Sequence, residues 1–413
     1  MMIYVNGRFL LQDQTGVNRF AYELCRAMVR LGQPFTLCLP QGEIKSCYDT
    51  SGFCLVRWGR GMSHVWEQIF LPLWFWRQKG PKILVCFTGL GPFLGRKKIM
   101  TIHDLAFMVN PSWYSRSYAV FYKALTPLCA ATSMRVLTVS EFSKSEITRL
   151  LGIPGEKISV INNAVSPAFT ERGVVGAESS PVKVAVCHEK YVLAVSSIDP
   201  RKNFQTLLAA FAYVKDPDVK LYVVGGQSRI YTTSIDELNQ TAFSKRVKWL
   251  GRVSDADLRA YYANALCFIY PSLYEGFGIP PLEAMACGTP VIVSAIPSLS
   301  EVCEDAALYV DPYDAKDIAV KINSLVSNPE LRESLVKRGR KRCEHFSWLA
   351  SAEKLQETFR AVRHAMDESA SIALASNKAI SINLPKEQSI SSGVDNVGPN
   401  CCIEKQRKET PNR

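Results

Sequence analysis

The chain has 413 residues, 47% apolar and 21% charged, enough to bury a large core, which excludes a wholly disordered chain. Its 24 Gly and 22 Pro, without sustained heptads, exclude collagen-like and coiled-coil classes. The formal charge is +11, and residues 1–165 carry 19 Lys and Arg against 9 Asp and Glu, so nearly all the excess lies in the first half. Such a half points to an anionic partner (lipid headgroups, a phosphorylated acceptor or nucleic acid), although a solvated basic face reads the same way.

The 13 cysteines sit mostly inside apolar runs such as Thr36-Leu37-Cys38-Leu39 and read as small buried hydrophobes in a reducing compartment. No basic segment followed by an apolar core opens the chain, so no signal peptide is expected. The greasiest run, Val65–Trp76, contains Glu67, Gln68 and Pro72 and is too short and polar to span a bilayer.

The first half opens on a predicted strand, Met2–Val5, and a polar loop ending at Thr15-Gly16. Val17, Phe20, Ala21, Leu24, Ala27, Met28 and Leu31 then recur at helical spacing, with Gly32 as the stop. Strands are predicted at Phe35–Leu39, Lys82–Phe87, Ile99–Ile102 and Arg135–Val139, with helices near Tyr114–Ala130 and Ser143–Leu151. This alternation predicts a parallel sheet covered on both faces. Residues 166–181, rich in Gly, Ser, Glu and Val, read as a connector. The second half repeats the pattern, with strands predicted at Tyr191–Val195, Lys220–Val224, Val247–Leu250, Leu266–Tyr270 and Pro290–Val293. Helices are predicted at Phe204–Lys215, Asp255–Asn264, Pro281–Ala286 and Ala315–Ser324, and Ser254 with Asp257 reads as an N-terminal cap. Trp348–Met366 reads as an amphipathic helix, and the polar residues after it as a disordered tail.

The richest segment runs from Tyr270 to Val291. It reads as strand, loop, helix, turn and strand, with Pro281 at the first helical position and Gly288 and Pro290 as the stop. That places Gly276-Phe277-Gly278 at the carboxyl end of a parallel strand, where ligands of open α/β sheets bind and free helix amides attract phosphate. Glu275 falls in the loop and Glu283 in the first helical turn. A Glu in a first turn also simply complements the helix dipole.

Glu275 and Glu283, with seven residues between them in the frame E-G-F-G-x-P-x-L-E-A-M-A-C-G-x-P-V, resemble the donor-binding signature of retaining glycosyltransferases of family 4, which have the GT-B fold. Asp199-Pro200-Arg201-Lys202-Asn203, Gly225-Gly226, Trp249–Ser254, Gly16-Val17, Ile102-His103-Asp104 and Val139–Ser143 agree with that family in order and spacing. The match runs from about Met2 to Arg363 and most resembles the mannosyltransferases of bacterial polysaccharide assembly.

The resemblance implies that Glu275 binds a hydroxyl of the donor sugar and Glu283 the ribose. It implies that Arg201 and Lys202, with Asn203 beside them, meet the donor pyrophosphate. Gly16 and Val17 approach that pyrophosphate across a cleft, His103 faces the transferred sugar, and Gly276, Phe277 and Gly278 line the donor pocket. Many family members carry an Arg five residues before Lys202; here that position is Ser197, and Arg201 stands in. Read bare, Arg201 and Lys202 are equally a solvated basic helix start, and His103 a packed strand-end histidine. The resemblance implies no metal and no cofactor beyond the nucleotide-sugar co-substrate. His64, His188, His345 and His364 have no matching partners for a metal set.

The fold expected is α/β, two Rossmann-like domains facing each other across a cleft. Residues 1–168 form the acceptor-side domain, 182–347 the nucleotide-sugar domain, 348–366 a helix crossing back to the first domain, and 370–413 a tail. The function implied is retaining transfer of a hexose, most simply mannose from GDP-mannose, to a glycan or lipid-diphosphate-linked acceptor in polysaccharide synthesis. A UDP- or dTDP-sugar donor is the alternative; a periplasmic-type sugar-binding protein or a nucleic-acid-binding protein are the other readings, the last without any recognition motif. Basic and aromatic residues interleave in Trp58, Trp66, Trp74, Phe75 and Trp76 with Arg57, Arg60 and Arg77, and in Tyr114, Tyr118, Phe121 and Tyr122 with Arg116 and Lys123. They suit either core packing or peripheral contact with the inner face of an anionic membrane, for a cytoplasmic protein.

Overall fold

The computed structural model describes residues 1–61, 64–170, 189–226 and 244–382. Seven strands form the first sheet: β1 (Met2–Asn6), β2 (Thr36–Leu39), β3 (Cys54–Arg57), β4 (Lys82–Cys86), β5 (Lys98–Thr101), β6 (Arg135–Thr138) and β7 (Ile158–Val160). Their order is β3-β2-β1-β4-β5-β6-β7, and the pairings are parallel. The second sheet holds β8 (Tyr191–Val195), β9 (Lys220–Val224), β10 (Val247–Gly251), β11 (Cys267–Tyr270), β12 (Val291–Ser294) and β13 (Ala307–Val310), ordered β10-β9-β8-β11-β12-β13 and again parallel. These are the two Rossmann-like halves the alternation predicts.

Local chemistry explains the elements. Central strands β4 and β11 are buried along their whole length, as a sheet covered on both faces requires. The helix Gly16–Arg30 starts where the Thr15 hydroxyl accepts from the Asn18 amide at 3.3 Å, and it buries Phe20, Leu24, Ala27 and Met28. Ser254 caps Asp255–Asn264 by accepting from the Asp257 amide at 3.1 Å. In the second half, Phe204, Leu207, Leu208 and Phe211 meet Ile318 and Ile322 over Leu221, Val223 and Ile269.

Several elements differ from expectation. β3, β7 and β13 were not predicted; all three are short sheet edges and only partly buried. The helix Pro329–Cys343 buries only Leu335 and Gly339 and so offers no apolar stripe to read. The helix from Phe204 ends at Ala210 instead of Lys215. The run Val65–Trp76 falls in a π turn, Trp66–Phe70, followed by the helix Leu71–Arg77. The last helix, Trp348–Ile382, continues well beyond Met366 because no Gly or Pro interrupts the sequence before Pro385; part of the expected tail is therefore helical. Within the expected connector, Pro167–Phe169 forms a 3-10 turn, and residues 171–181 lie outside the described residues, as do 383–413.

The chain divides into a unit Met1–Arg363, which contains both sheets, and a unit His364–Arg413. Inside the first unit the carboxyl edges of the sheets face each other. A Cβ on Gly276, after β11, would collide with the His103 carbonyl, after β5, and Arg19 of the Gly16–Arg30 helix pairs with Asp255 at 2.7 Å. The start of the last helix lies against the first half: Trp348 meets Phe20 edge-on at 6.0 Å, and Ser351 Oγ donates to the Asn162 carbonyl at 2.8 Å. The ten described cysteines are all unpaired.

Candidate active site

Beyond β11 the chain turns through Pro271–Phe277 into the helix Ile279–Ala286. The helix begins two residues before the predicted Pro281. Gly278 precedes it with φ of 102°, a conformation a side chain strains to adopt, and a Cβ there would press on Leu299 at 2.5 Å. Pro280 and Pro281 fall in the first turn, where a missing amide costs nothing. Glu283 consequently lies in the second turn, away from the dipole end it was expected to complement.

Glu275 is the centre of the site and is 6% exposed. Its Oε2 accepts from Arg201 Nη1 at 2.9 Å and its Oε1 from Lys202 Nζ at 2.5 Å. Burial alone would raise its pKa, but the two cations overcome that and hold it down to about 2. Lys202 Nζ also donates to the Tyr270 hydroxyl at 2.5 Å, and burial together with the neighbouring Arg201 charge lowers its pKa. Arg201 Nη1 donates to the Tyr274 carbonyl at 3.1 Å, with Asp199 and Asp104 at 3.7 and 4.0 Å. The anion that compensates these buried cations is thus a carboxylate of the protein itself, and the bare reading of a solvated basic helix start does not hold.

His103 stands on the opposite edge, half-buried, with Nε2 2.8 Å from the Phe87 carbonyl and its ring edge-on to Phe20 at 4.9 Å. Burial lowers its pKa, so the ring is neutral at pH 7. The loop carrying Glu275 reaches it closely: the Gly276 carbonyl accepts from Ser140 Oγ at 2.6 Å and Ser143 Oγ at 3.0 Å, while Ser143 Oγ also lies 3.3 Å from the His103 carbonyl.

Glu283 is 6% exposed, accepts from the Tyr262 hydroxyl at 3.2 Å, and has its pKa raised by burial against the pull of Arg19. Arg19 in turn lies over the Phe169 ring at 5.4 Å. Gly16 is exposed at the helix start, where a Cβ would reach only Ile279 at 3.7 Å, with Val17 half-buried beside it.

Two expected residues turn away from this group. Asn203, at φ 60°, donates to the Pro271 and Pro312 carbonyls at 3.1 and 2.6 Å and accepts from Thr206; its amide fixes loops. The Phe277 ring packs edge-on against Phe346 at 5.4 Å, so only its backbone borders the loop. Sequence reading gave no role to Arg19, Asp104, Ser140, Asp255 or Tyr270, although Asp104, Ser140 and Tyr270 fall within the motifs named above. Arg19 and Ser140 carried a faint signal, a charge among the apolar positions of the first helix and a capping serine after a strand. Their partners lie in the other half of the chain. The sequence does contain Asp-x-Asp pairs, Asp216/Asp218 and Asp255/Asp257, but Asp216 pairs with Lys190 and Asp255 with Arg19. Among the described residues no group of three or more His, Cys, Asp or Glu is placed to hold a metal.

Residues 178–342 match the family model for glycosyl transferases group 1, and residues 14–169 that for glycosyltransferase family 4. The chain is 32% identical over 260 residues to O-antigen chain mannosyltransferase B of Escherichia coli, covering 61% of this chain and 67% of that one. It is 34% identical over 255 residues to O-antigen chain mannosyltransferase RfbU of Salmonella typhimurium, with the same coverage. In structure it is similar to sucrose-phosphate synthase from Thermosynechococcus elongatus, with a TM-score of 0.70 at 22% identity over 88% of this chain and 99% of that one.

Proposed function

Because the chain belongs to glycosyltransferase family 4 and is a glycosyltransferase, we propose that it transfers a hexose with retention, most simply mannose from GDP-mannose, to a glycan or lipid-diphosphate-linked acceptor of cell-surface polysaccharide synthesis. The observation that carries the reading is the convergence of Arg201 and Lys202 on Glu275 at the junction of the two sheets.

Breaking the bond between the sugar and its diphosphate leaves positive charge on the sugar and negative charge on the leaving group. Fixed cations that meet this charge as it grows lower the barrier. Arg201 and Lys202 take that role in the proposal, and Gly16, without a side chain, lets backbone approach the diphosphate. Glu275, released from its cations by the diphosphate, takes a hydroxyl of the donor sugar. Glu283 takes the ribose hydroxyls, and neutral His103 borders the transferred ring. Two cations meeting the diphosphate support a reaction without metal or further cofactor.

Membrane contact at the inner face of an anionic bilayer belongs to the same proposal. No helix among the described residues is long and apolar enough to cross a membrane. Support comes from Leu73, Trp76, Phe93 and Leu94, which are exposed beside Arg96 and Lys97. Of the two aromatic stretches, Trp66, Trp74 and Phe75 are core, and Tyr114, Tyr118, Phe121 and Tyr122 pack on a buried cluster, so the contact narrows to that exposed group.

The test is a thermal-shift panel of GDP-, UDP- and dTDP-sugars on the full chain, followed by transfer assays with any that bind. A ligand that binds only the native state raises its apparent stability. GDP-mannose is expected to give the largest shift. A larger shift with a UDP- or dTDP-sugar moves the donor assignment, and no shift with any removes the proposal.

A further inference from the structure

A second polar group lies at the same edge of the first sheet and is unused by the donor site. Glu67, in the π turn Trp66–Phe70, is 1% exposed. Its Oε1 accepts from Asn6 Nδ2 at 2.7 Å, at the end of β1. Its Oε2 lies 3.6 Å from Arg8 Nη2 and 3.5 Å from His64 Nδ1, without a hydrogen bond to either. Arg8 Nε and His64 Nδ1 likewise make no hydrogen bond. A buried carboxylate oxygen and a buried guanidinium nitrogen left without hydrogen bonds beside a half-exposed imidazole are costly to the fold unless something completes them. A π turn is itself an uncommon element, frequent at functional sites.

An aromatic ladder joins this group to the donor side. Tyr114 and Tyr118 stack at 5.2 Å with ring planes 10° apart, and Tyr118 and Tyr122 at 4.3 Å. The far ring, Tyr122, lies 6.1 Å from His64, and Phe121 lies 5.1 Å from it. The near ring, Tyr114, shares a buried cluster with Tyr274, the residue before Glu275. Tyr118 and Tyr122 are only partly buried, and the His64 side chain is 42% exposed, so this end is open to solvent.

Aromatic faces beside hydrogen-bonding charged groups fit a ring with one apolar face and a rim of hydroxyls. We propose that Arg8, His64 and Glu67, with the ladder Tyr114, Tyr118 and Tyr122, form the subsite for a hexopyranose ring of the acceptor. Glu67 accepts from its hydroxyls, Arg8 donates to them, and the tyrosines cover its apolar face. The inference rests on the glycosyl-transfer reading and adds which residues hold the acceptor sugar.

The test uses the full chain and methyl α-D-mannopyranoside, glucopyranoside and galactopyranoside as probes, with binding read by saturation-transfer NMR. The wild type binds at least one glycoside. Tyr118→Leu weakens that binding roughly tenfold, the scale of a lost stacking contact in a largely desolvated site. Tyr118→Phe keeps it, and Glu67→Gln loses it. Tyr118, half-buried on a helix, guards against a Glu67 variant that simply fails to fold. Binding unchanged in folded Tyr118→Leu, or no glycoside bound by the wild type, overturns the subsite. The nucleotide-sugar shift is measured on the same proteins. A wild type that shows that shift but binds no glycoside loses the subsite alone, and one without the shift loses the donor proposal.

Discussion

Ser140 and Gly276, 136 residues apart, are joined by a hydrogen bond of 2.6 Å from the serine hydroxyl to the glycine carbonyl. The same hydroxyl accepts from the Ser143 amide and so caps the helix Glu141–Leu151. Glu301, from the second half, accepts from the Glu141 and Phe142 amides at 2.8 and 2.9 Å. One helix start in the first half therefore anchors both the Glu275 loop and the helix Pro297–Cys303 of the second.

Ser140→Ala removes the cap and the anchor together. The cap alone is worth about 0.5–2 kcal/mol, so the midpoint of urea unfolding is expected to fall. Transfer is expected to drop roughly tenfold or more, because a displaced loop misplaces Glu275. Ser143→Ala, which leaves the shorter Ser140 bond in place, is expected to lose less of both. Equal activity in Ser140→Ala and wild type would show that the loop holds its position without the first half.

Glu275→Gln keeps the volume of the side chain and removes the charge between Arg201 and Lys202. Breaking a buried pair leaves uncompensated charge and costs about 3–5 kcal/mol, so unfolding is expected well below the wild-type temperature. Transfer is expected to be lost. Added nucleoside diphosphate is expected to raise the variant's melting temperature more than the wild type's, since it supplies the missing negative charge. An equal or smaller rise would mean that the two cations do not meet a diphosphate.

Titration offers an independent check of that arrangement. Glu275, ordinarily near 4.5, is held at about 2 by Arg201 and Lys202 despite its burial. A carboxylate with a depressed pKa stabilises the fold above its unfolded value, and that contribution is lost as pH falls from about 4.5 towards 2. Glu283 has the opposite sign and a different window: burial raises its pKa, so acidification from its raised folded value down to about 4.5 favours folding, and below 4.5 its contribution no longer changes. Chemical denaturation at successive pH values is expected to show stability falling more shallowly below about pH 4.5 in Glu275→Gln than in wild type, whereas Glu283→Gln differs in slope from wild type only above that value, where it lacks the stabilisation that protonating Glu283 supplies.

The main architecture was legible because central parallel strands bury both faces and therefore read as apolar runs: β4, β8, β9 and β11 fall within a residue or so of their expected bounds. The edge strands β3, β7 and β13 were missed as three- or four-residue, partly buried segments, whereas the edge strand β10 was read. At the site, Glu275, Arg201 and Lys202 could be picked out because they flank strand ends within one half. That a single carboxylate gathers both cations, or that Ser140 holds the Gly276 carbonyl, depends on how the two halves meet. No local pattern of charge or hydrophobicity encodes that meeting. Asn203 illustrates the opposite error: its place beside Lys202 suggested ligand contact, but its left-handed backbone and two carbonyl partners make it a fastener.

Membrane contact, if it is made by the exposed group of the first half, has a distinct signature. Trp76 and Leu94 border a cavity of about 320 Å³ together with Phe75, Leu84, Arg96 and Lys97. Trp76→Ser combined with Leu94→Ser removes apolar area from an already exposed surface, so thermal stability is expected to stay within roughly 0.5 kcal/mol of wild type. Co-sedimentation with vesicles containing phosphatidylglycerol is expected to fall, because the apolar side chains no longer enter the acyl boundary. Arg96→Glu combined with Lys97→Glu is expected to weaken the same binding at low salt, with the difference narrowing near 1 M, where the screening length is about 3 Å. Vesicle binding that survives both double variants would place the contact on another face of the first half.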